Sequence, residues 1–270
     1  MMNNNLVKSV KLNAQETLLG EKHFPMTPEQ ILIEETWERF LEATLGPEMQ
    51  PEELEALERA LKKFKGISEQ KLENPFFWES WAPTWAEYSR RNLTRGLLLL
   101  NRLGRIEPHQ KIISVGAGSC WQEVFLAQYC CFDGKVYGVD FSHHMIKQGT
   151  LLAQKRKIEN VHFMVGKAEH LPLAENSGDL IVSFNLLDLI ADVPRVLLEI
   201  KRILSETPQG RYFFVFPLNP RDRLKSKAEA WKMMMIQAGL ETPRLFCLSG
   251  KNYKGKSLRL MVLTNIEPVG

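Results

Sequence analysis

From residue 111 onward the chain alternates between two textures, and that alternation restricts the fold more than any other feature. Short apolar runs rich in β-branched and aromatic residues lie at 111–115, 135–140, 161–165, 180–184, 211–216, 244–248 and 258–264. Helix-like stretches of roughly a dozen residues separate the first five. Strand, helix, strand in regular order predicts an α/β fold: a doubly wound, mostly parallel sheet covered on both faces. Ser249-Gly250-Lys251-Asn252 has the composition of a turn and joins the last two runs, which are predicted as an antiparallel hairpin at one edge.

The first 105 residues carry a helical pattern instead. Thr27 and Pro28 make a helix start, after which Ile31, Ile33, Trp37, Phe40, Leu41 and Leu45 recur at mostly helical spacing until Gly46-Pro47. Pro51 opens a second helix with Leu54, Leu57, Leu61 and Phe64 on one face, and Gly66 closes it. A third segment, 74–103, carries Trp78, Trp81, Trp85 and Tyr88 and is broken at Pro83. The expected organisation is an N-terminal all-helical extension or lid over 1–105 and an α/β domain over 106–270. The four aromatic rings are expected to pack as a helical face; the alternative is that some of them line a pocket for an apolar or planar ligand.

Hydrophobic residues at 44% and charged residues at 25% describe a folded globular chain. No run approaches the roughly 18 apolar residues of a membrane span. The N-terminus has no apolar core of signal-peptide length, so a cytoplasmic location is expected. Cys120, Cys130, Cys131 and Cys247 form neither a CxxC nor a paired framework, so reduced thiols and no metal site are expected. A net charge of +3 does not point to nucleic acid. Its distribution is uneven, with 12 Glu against 6 Lys/Arg over 28–73 and 13 Lys/Arg against 4 Asp/Glu over 201–260. Two solvated faces of one fold account for this; a basic surface for an anionic partner, with the acidic helices docking a protein, is the sharper alternative.

The chemistry concentrates in Ile112-Ile113-Ser114-Val115-Gly116-Ala117-Gly118-Ser119-Cys120-Trp121. A buried strand runs into two glycines and then a helix; glycine there permits a sharp turn and lets a ligand touch the backbone. Asp140 ends the second strand, 22 residues after Gly118, where an acid can accept both hydroxyl protons of a ribose. That marks an adenosine-type ligand. A dinucleotide fingerprint requires a third glycine where Trp121 stands, and no G-K-[ST] follows for a P-loop.

Over 110–216 the sequence resembles the class I S-adenosylmethionine-dependent methyltransferases, in particular the group that includes ubiquinone and menaquinone biosynthesis enzymes, which share a Rossmann-like fold. The resemblance implies that Gly116, Ala117 and Gly118 pass under the methionine part of S-adenosylmethionine. It implies that Asp140 holds the ribose with Phe141 beside the adenine, and Met145 is counted with them. Gly166-Lys167-Ala168-Glu169-His170-Leu171-Pro172 resembles the family's G-D-A-E-x-L-P, so Ala168 and Glu169 are expected at the adenine ring. Asn185, Leu186 and Leu187 match the turn facing the sulfonium. Three positions depart from the family pattern. Ser114 replaces an acid that helps hold the methionine ammonium, Cys120 replaces a glycine, and Lys167 replaces an aspartate that accepts from the adenine amino group.

The implied function is methyl transfer to a small-molecule acceptor, giving S-adenosylhomocysteine. Two alternatives stay open: a binding or scaffolding protein on the same fold with weak or lost catalysis, and an RNA methyltransferase using Arg221, Arg223, Lys225 and Lys227. The sequence argues against the latter, since Trp231 and Tyr253 are the nearby rings on which bases could stack. For a general base the residues to weigh are Asp188, Tyr88, His143 and His144. Asp188 also suits a helix start, and the two histidines suit an exposed first turn after Ser142.

Overall fold

The computed structural model describes residues 106–206, 210–218, 222–251 and 257–267, together with Phe77, Trp78, Trp85, Gly96, Leu97, Leu99, Leu100 and Leu103. The helices expected over 28–45 and 51–66, Tyr88, Trp81 and Arg221 lie outside the described residues. The strands are β1 (Lys111–Val115), β2 (Lys135–Asp140), β3 (Val161–Val165), β4 (Leu180–Phe184), β5 (Arg211–Leu218), β6 (Arg244–Lys251) and β7 (Ser257–Thr264). They form one seven-stranded sheet in the order β3-β2-β1-β4-β5-β7-β6. The first five run parallel. β7 enters antiparallel between β5 and β6, as the expected edge hairpin requires.

The helices follow from local signals. α1 (Trp121–Phe125) leaves the glycine loop and continues as a π-helical turn over Leu126–Cys130. α2 (His143–Arg156) is capped by Ser142, whose hydroxyl accepts from the Met145 N–H at 3.4 Å. In α3 (Val193–Ile203) Asp192 caps by accepting from the Arg195 N–H at 3.1 Å. The buried stripe Val196, Leu197, Ile200 and Ile203 seats α3 on the sheet. α4 (Leu224–Gln237) buries Ala228, Trp231 and Met235.

Alternate strand residues face opposite sides, so the two core clusters divide by parity. Ile112, Val136, Val182 and Phe213 pack with Trp121, Phe125 and Leu97, whereas Ile113, Val115, Ile181 and Phe214 pack with α3 and α4. Both faces are covered, which is why these strands are nearly continuous apolar runs.

Two expectations are corrected. Residues 166–179, between β3 and β4, contain no helix. Gly166, Pro172 and Gly178 interrupt any helical run, and the segment instead closes on α3: Asn176 and Gly178 donate to the carbonyls of Arg202 and Ile203, at 3.0 and 2.9 Å. These are carbonyls that a helix end leaves without an internal partner. The hairpin turn is also displaced. Ser249, Gly250 and Lys251 pair with Arg259, Leu258 and Ser257, so they belong to the ladder rather than to a turn.

Candidate active site

The sheet order reverses between β1 and β4, and the crevice opens at the carboxyl ends of those strands, where α/β sheets bind ligands. Gly116 leaves β1 at φ 74° with its N–H on the Val139 carbonyl at 2.8 Å. A side chain there would be doubly excluded, since its Cβ would lie 2.5 Å from Leu186 Cδ2. Gly118, also left-handed at φ 54°, donates its N–H to Asp140 Oδ2 at 2.9 Å. Asp140 Oδ1 accepts from the Ser142 N–H at the same distance. Burial pushes the Asp140 carboxyl up to about 6, and the N–H groups of Ser142, Gly118 and Phe141 pull it down.

A cleft of about 230 Å³ lies beyond this loop. Gly116, Gly118, Asp140, Phe141, Met145, Ala168, Glu169, Asn185 and Leu186 all line it, as do Lys167 and Leu171. Ala117 turns away and packs with Cys120 and Ile146. Trp78, Trp85, Phe184, Leu189 and Ile190 supply apolar lining, and the Trp85 indole packs against the glycine loop, 3.0 Å from where a Cβ on Gly118 would lie. Trp78 and Trp85 meet edge to face at 5.5 Å. Both rings are buried, and both line the cleft.

The wall made by 166–171 is held from behind by α3. Glu199 accepts the Leu171 N–H at 3.0 Å and pairs with Arg202 at 2.8 Å. Arg202 in turn donates to the carbonyls of Leu173 and Leu171, at 2.9 and 3.2 Å, and Arg195 donates to the Glu169 carbonyl at 3.3 Å. The Arg202 guanidinium holds the Glu199 carboxyl below the usual carboxylate range.

Cys120 adopts the left-handed conformation, at φ 62°, that a glycine would take without strain. Its Sγ donates to the Gly118 carbonyl at 3.2 Å. Room for its side chain comes from α2, where a Cβ on Gly149 would fall 2.3 Å from Cys120 Cβ. Ser114 is buried on β1, and its hydroxyl acts on the Glu123 carboxyl, drawing it down. Across from it, Glu123 of α1 is 1% exposed; sequence reasoning missed this residue, because only tertiary burial sets it apart from a surface helix carboxylate.

Asp188 follows the cleft-lining Asn185 and Leu186, yet its carboxylate accepts from Lys227 Nζ of α4 at 2.6 Å. Lys227 also reaches Asp222 at 3.4 Å. His143 and His144 are exposed in the first turn of α2 and do not line the cleft. Among the described residues, no group of three His, Cys, Asp or Glu could hold a metal, and no helix is long and apolar enough to cross a membrane.

The model of the methyltransferase domain family matches residues 106–255, more than half of the chain. The chain belongs to that family. The demethylmenaquinone methyltransferase of Geobacillus stearothermophilus is 32% identical over 115 residues, 42% of this chain and 48% of that protein. The arsenite methyltransferase of Halobacterium salinarum is 32% identical over 104 residues, 38% of this chain and 26% of that protein. The chain thus spans about half the length, or less, of the curated relatives it matches. A SAM-dependent methyltransferase from Aquifex aeolicus shares the fold, with a TM-score of 0.54 at 18% identity over 70% of this chain and 98% of that one.

Proposed function

We propose that this methyltransferase-family chain transfers the methyl group of S-adenosylmethionine to a small, largely apolar acceptor and leaves S-adenosylhomocysteine. The observation that carries this is the junction of Asp140 with Gly118 in the wall of a cleft lined by both polar and apolar side chains.

The residues present fit the cofactor. A carboxylate offers about four lone-pair sites; backbone N–H groups occupy two on Asp140, which leaves acceptors for the two ribose hydroxyls. Gly116 and Gly118 let Leu186 and Trp85 pack against the loop backbone, where a Cβ would lie 2.5 and 3.0 Å from those side chains, and both glycines line the cleft. The backbone of 167–169 borders the adenine end, held in shape by α3. When bound, S-adenosylmethionine supplies a methyl group already activated on a sulfonium. The chain's part is then to align the acceptor and exclude water. Trp78, Trp85, Phe184, Leu189 and Ile190 do both, and their apolar character selects the acceptor class. We assign Asp188 the role of tethering the 185–191 turn to α4 through Lys227, rather than that of a base.

The same ion pairs weigh against the RNA reading, since Lys227 is already engaged by Asp188 and Asp222. Cys120, Cys130, Cys131 and Cys247 are free thiols, in keeping with action in the reducing cytoplasm. We assign the methyltransferase domain to 106–270, with 1–105 as its lid.

Titration calorimetry of the folded protein with S-adenosylmethionine, S-adenosylhomocysteine and NADH tests this reading. Binding of both sulfur nucleotides and not NADH is expected. Silence towards all three overturns the enzyme reading in favour of a binding protein on the same fold.

A further inference from the structure

The two tryptophans of the cleft meet nearly at a right angle. Trp78 and Trp85 have ring centres 5.5 Å apart and planes inclined at 80°. Whichever ring supplies the edge, the corner between two such planes is bounded by a face of each. The face of an indole carries the negative side of the ring quadrupole, and it attracts a cation held within about 6 Å of the ring centre. Both rings are buried and both line the cleft. Among the described residues, Lys167 is the one Lys or Arg of that lining, and it follows β3 rather than the glycine loop.

The place of Trp85 ties this corner to the ligand. Its Nε1 and Cδ1 lie 3.0 and 3.3 Å from where a Cβ on Gly118 would stand. Gly118 in turn gives its N–H to Asp140 Oδ2 at 2.9 Å, and Asp140 is the carboxyl assigned above to the ribose. In S-adenosylmethionine a single methylene separates the sugar ring from the sulfur. The strands run in the order β3-β2-β1. With the base over 167–169, after β3, and the sugar at Asp140, after β2, the sulfur falls on the β1 side, where Gly118 and Trp85 meet.

We propose that Trp78 and Trp85 read the charge on the cofactor's sulfur, holding the sulfonium of S-adenosylmethionine against their faces and not the neutral thioether of S-adenosylhomocysteine. This rests on the cofactor reading above and adds to it a means of telling substrate from product. In the transfer an electron pair of the acceptor forms the new bond to the methyl carbon, and the pair of the broken S–CH₃ bond stays on sulfur, which becomes neutral. The attraction to the rings therefore ends with the reaction that consumes it.

The test compares S-adenosylmethionine with S-adenosylhomocysteine by calorimetry on the full chain and on Trp85→Leu and Trp85→Phe, each checked for folding by circular dichroism. Trp85→Leu should weaken S-adenosylmethionine roughly 5- to 30-fold, the range of a desolvated cation–π contact, and change S-adenosylhomocysteine by less than about threefold. Trp85→Phe keeps an aromatic face and should lose less. Equal loss for both ligands, a greater loss for S-adenosylhomocysteine, or no loss for either overturns the proposal. If the wild-type chain binds neither ligand, the cofactor reading itself fails and this assignment falls with it. If Trp85→Leu does not fold, biosynthetic replacement of tryptophan by its fluorinated analogues decides, because fluorine withdraws charge from the ring face and leaves its shape nearly unchanged. Affinity for S-adenosylmethionine should then fall with each added fluorine while that for S-adenosylhomocysteine holds; affinities that fall together, or do not fall, overturn the proposal.

Discussion

Gly118 gives its N–H to Asp140 Oδ2 at 2.9 Å, bridging 22 residues of sequence and two neighbouring parallel strands. One carboxyl group thereby sets the course of the glycine loop while keeping acceptors for a ligand. The loop and the Asp140 carboxyl are a single mechanical unit, so damage to one is damage to the other.

Removing that carboxyl should be the most severe single change at the site. Asp140→Ala strands the Gly118 and Ser142 N–H groups and deletes the carboxyl proposed to hold the ribose. S-adenosylhomocysteine affinity should fall by about 100-fold or more, given roughly 1.5–3 kcal/mol per charged hydrogen bond. Asp140→Asn retains one acceptor oxygen and should fall between the two, as calorimetry will show.

The two raised carboxyls determine a pH dependence. Asp140 and Glu123 hold protons in the folded chain up to about 6 and 7, and unfolding returns them to ordinary values of 3.8 and 4.5. The folded state binds more protons between those limits, so these groups' contribution is full near pH 4 and is lost as pH rises towards 8. Glu123→Gln removes one of them. Relative to wild type it should gain on the order of 3 kcal/mol between pH 4 and pH 8, each tenfold change in proton affinity being worth about 1.4 kcal/mol. Urea unfolding at the two pH values measures it. Glu199 works in the opposite sense: held low by Arg202, it withdraws stability as pH falls through its folded value.

Gly149 and Cys120 should behave as a coupled pair. Gly149→Ala forces a methyl group to within 2.3 Å of Cys120 Cβ, an overpacking that costs about 1–3 kcal/mol. Adding Cys120→Gly frees the space and removes a left-handed non-glycine residue, so the double variant should regain most of the loss. Additive urea midpoints would show that the two sites do not meet.

The clamp of α3 on the cleft wall should matter for binding more than its distance from the ligand suggests. Glu199→Leu orphans the Leu171 N–H and takes the carboxylate from Arg202, which keeps only the Leu171 and Leu173 carbonyls. Hydrogen exchange at Leu171 should rise, and S-adenosylhomocysteine affinity should drop about tenfold, equivalent to roughly 1.4 kcal/mol. Glu199→Gln, which keeps an acceptor, should lose less. An unchanged affinity with faster exchange would separate the clamp from the ligand.

The strands from β1 to β4 were legible residue by residue: β1, β2 and β4, buried on both faces, write themselves as nearly continuous apolar runs, and the half-exposed edge strand β3 keeps a short β-rich run ahead of Gly166. The glycine loop was legible because left-handed turns and close side-chain approach restrict residue type, and Asp140 because it ends the neighbouring strand at a fixed distance along the chain. Other features depend on partners far along the chain. Gly250 has a turn residue's composition, but ladder pairing with Leu258 carries it into β6. Asp188 invites a catalytic reading until Lys227, 39 residues on, takes its carboxylate. Cys120 departs from glycine without closing the loop because Gly149 makes room on another helix. Glu123 carries no local mark of its burial at all.

The parallel order of the strands has a consequence for the making of the protein. The cleft needs Gly116 from the first strand, Asp140 from the second, Gly166 from the third and Asn185 after the fourth, none of them joined by a short hairpin. A chain emerging from the ribosome therefore has no complete pocket until residues beyond 191 are synthesised. A ligand that binds the finished cleft stabilises only chains that have passed this point, so cofactor supply would act as a late proofreader of folding rather than as a guide to its first steps.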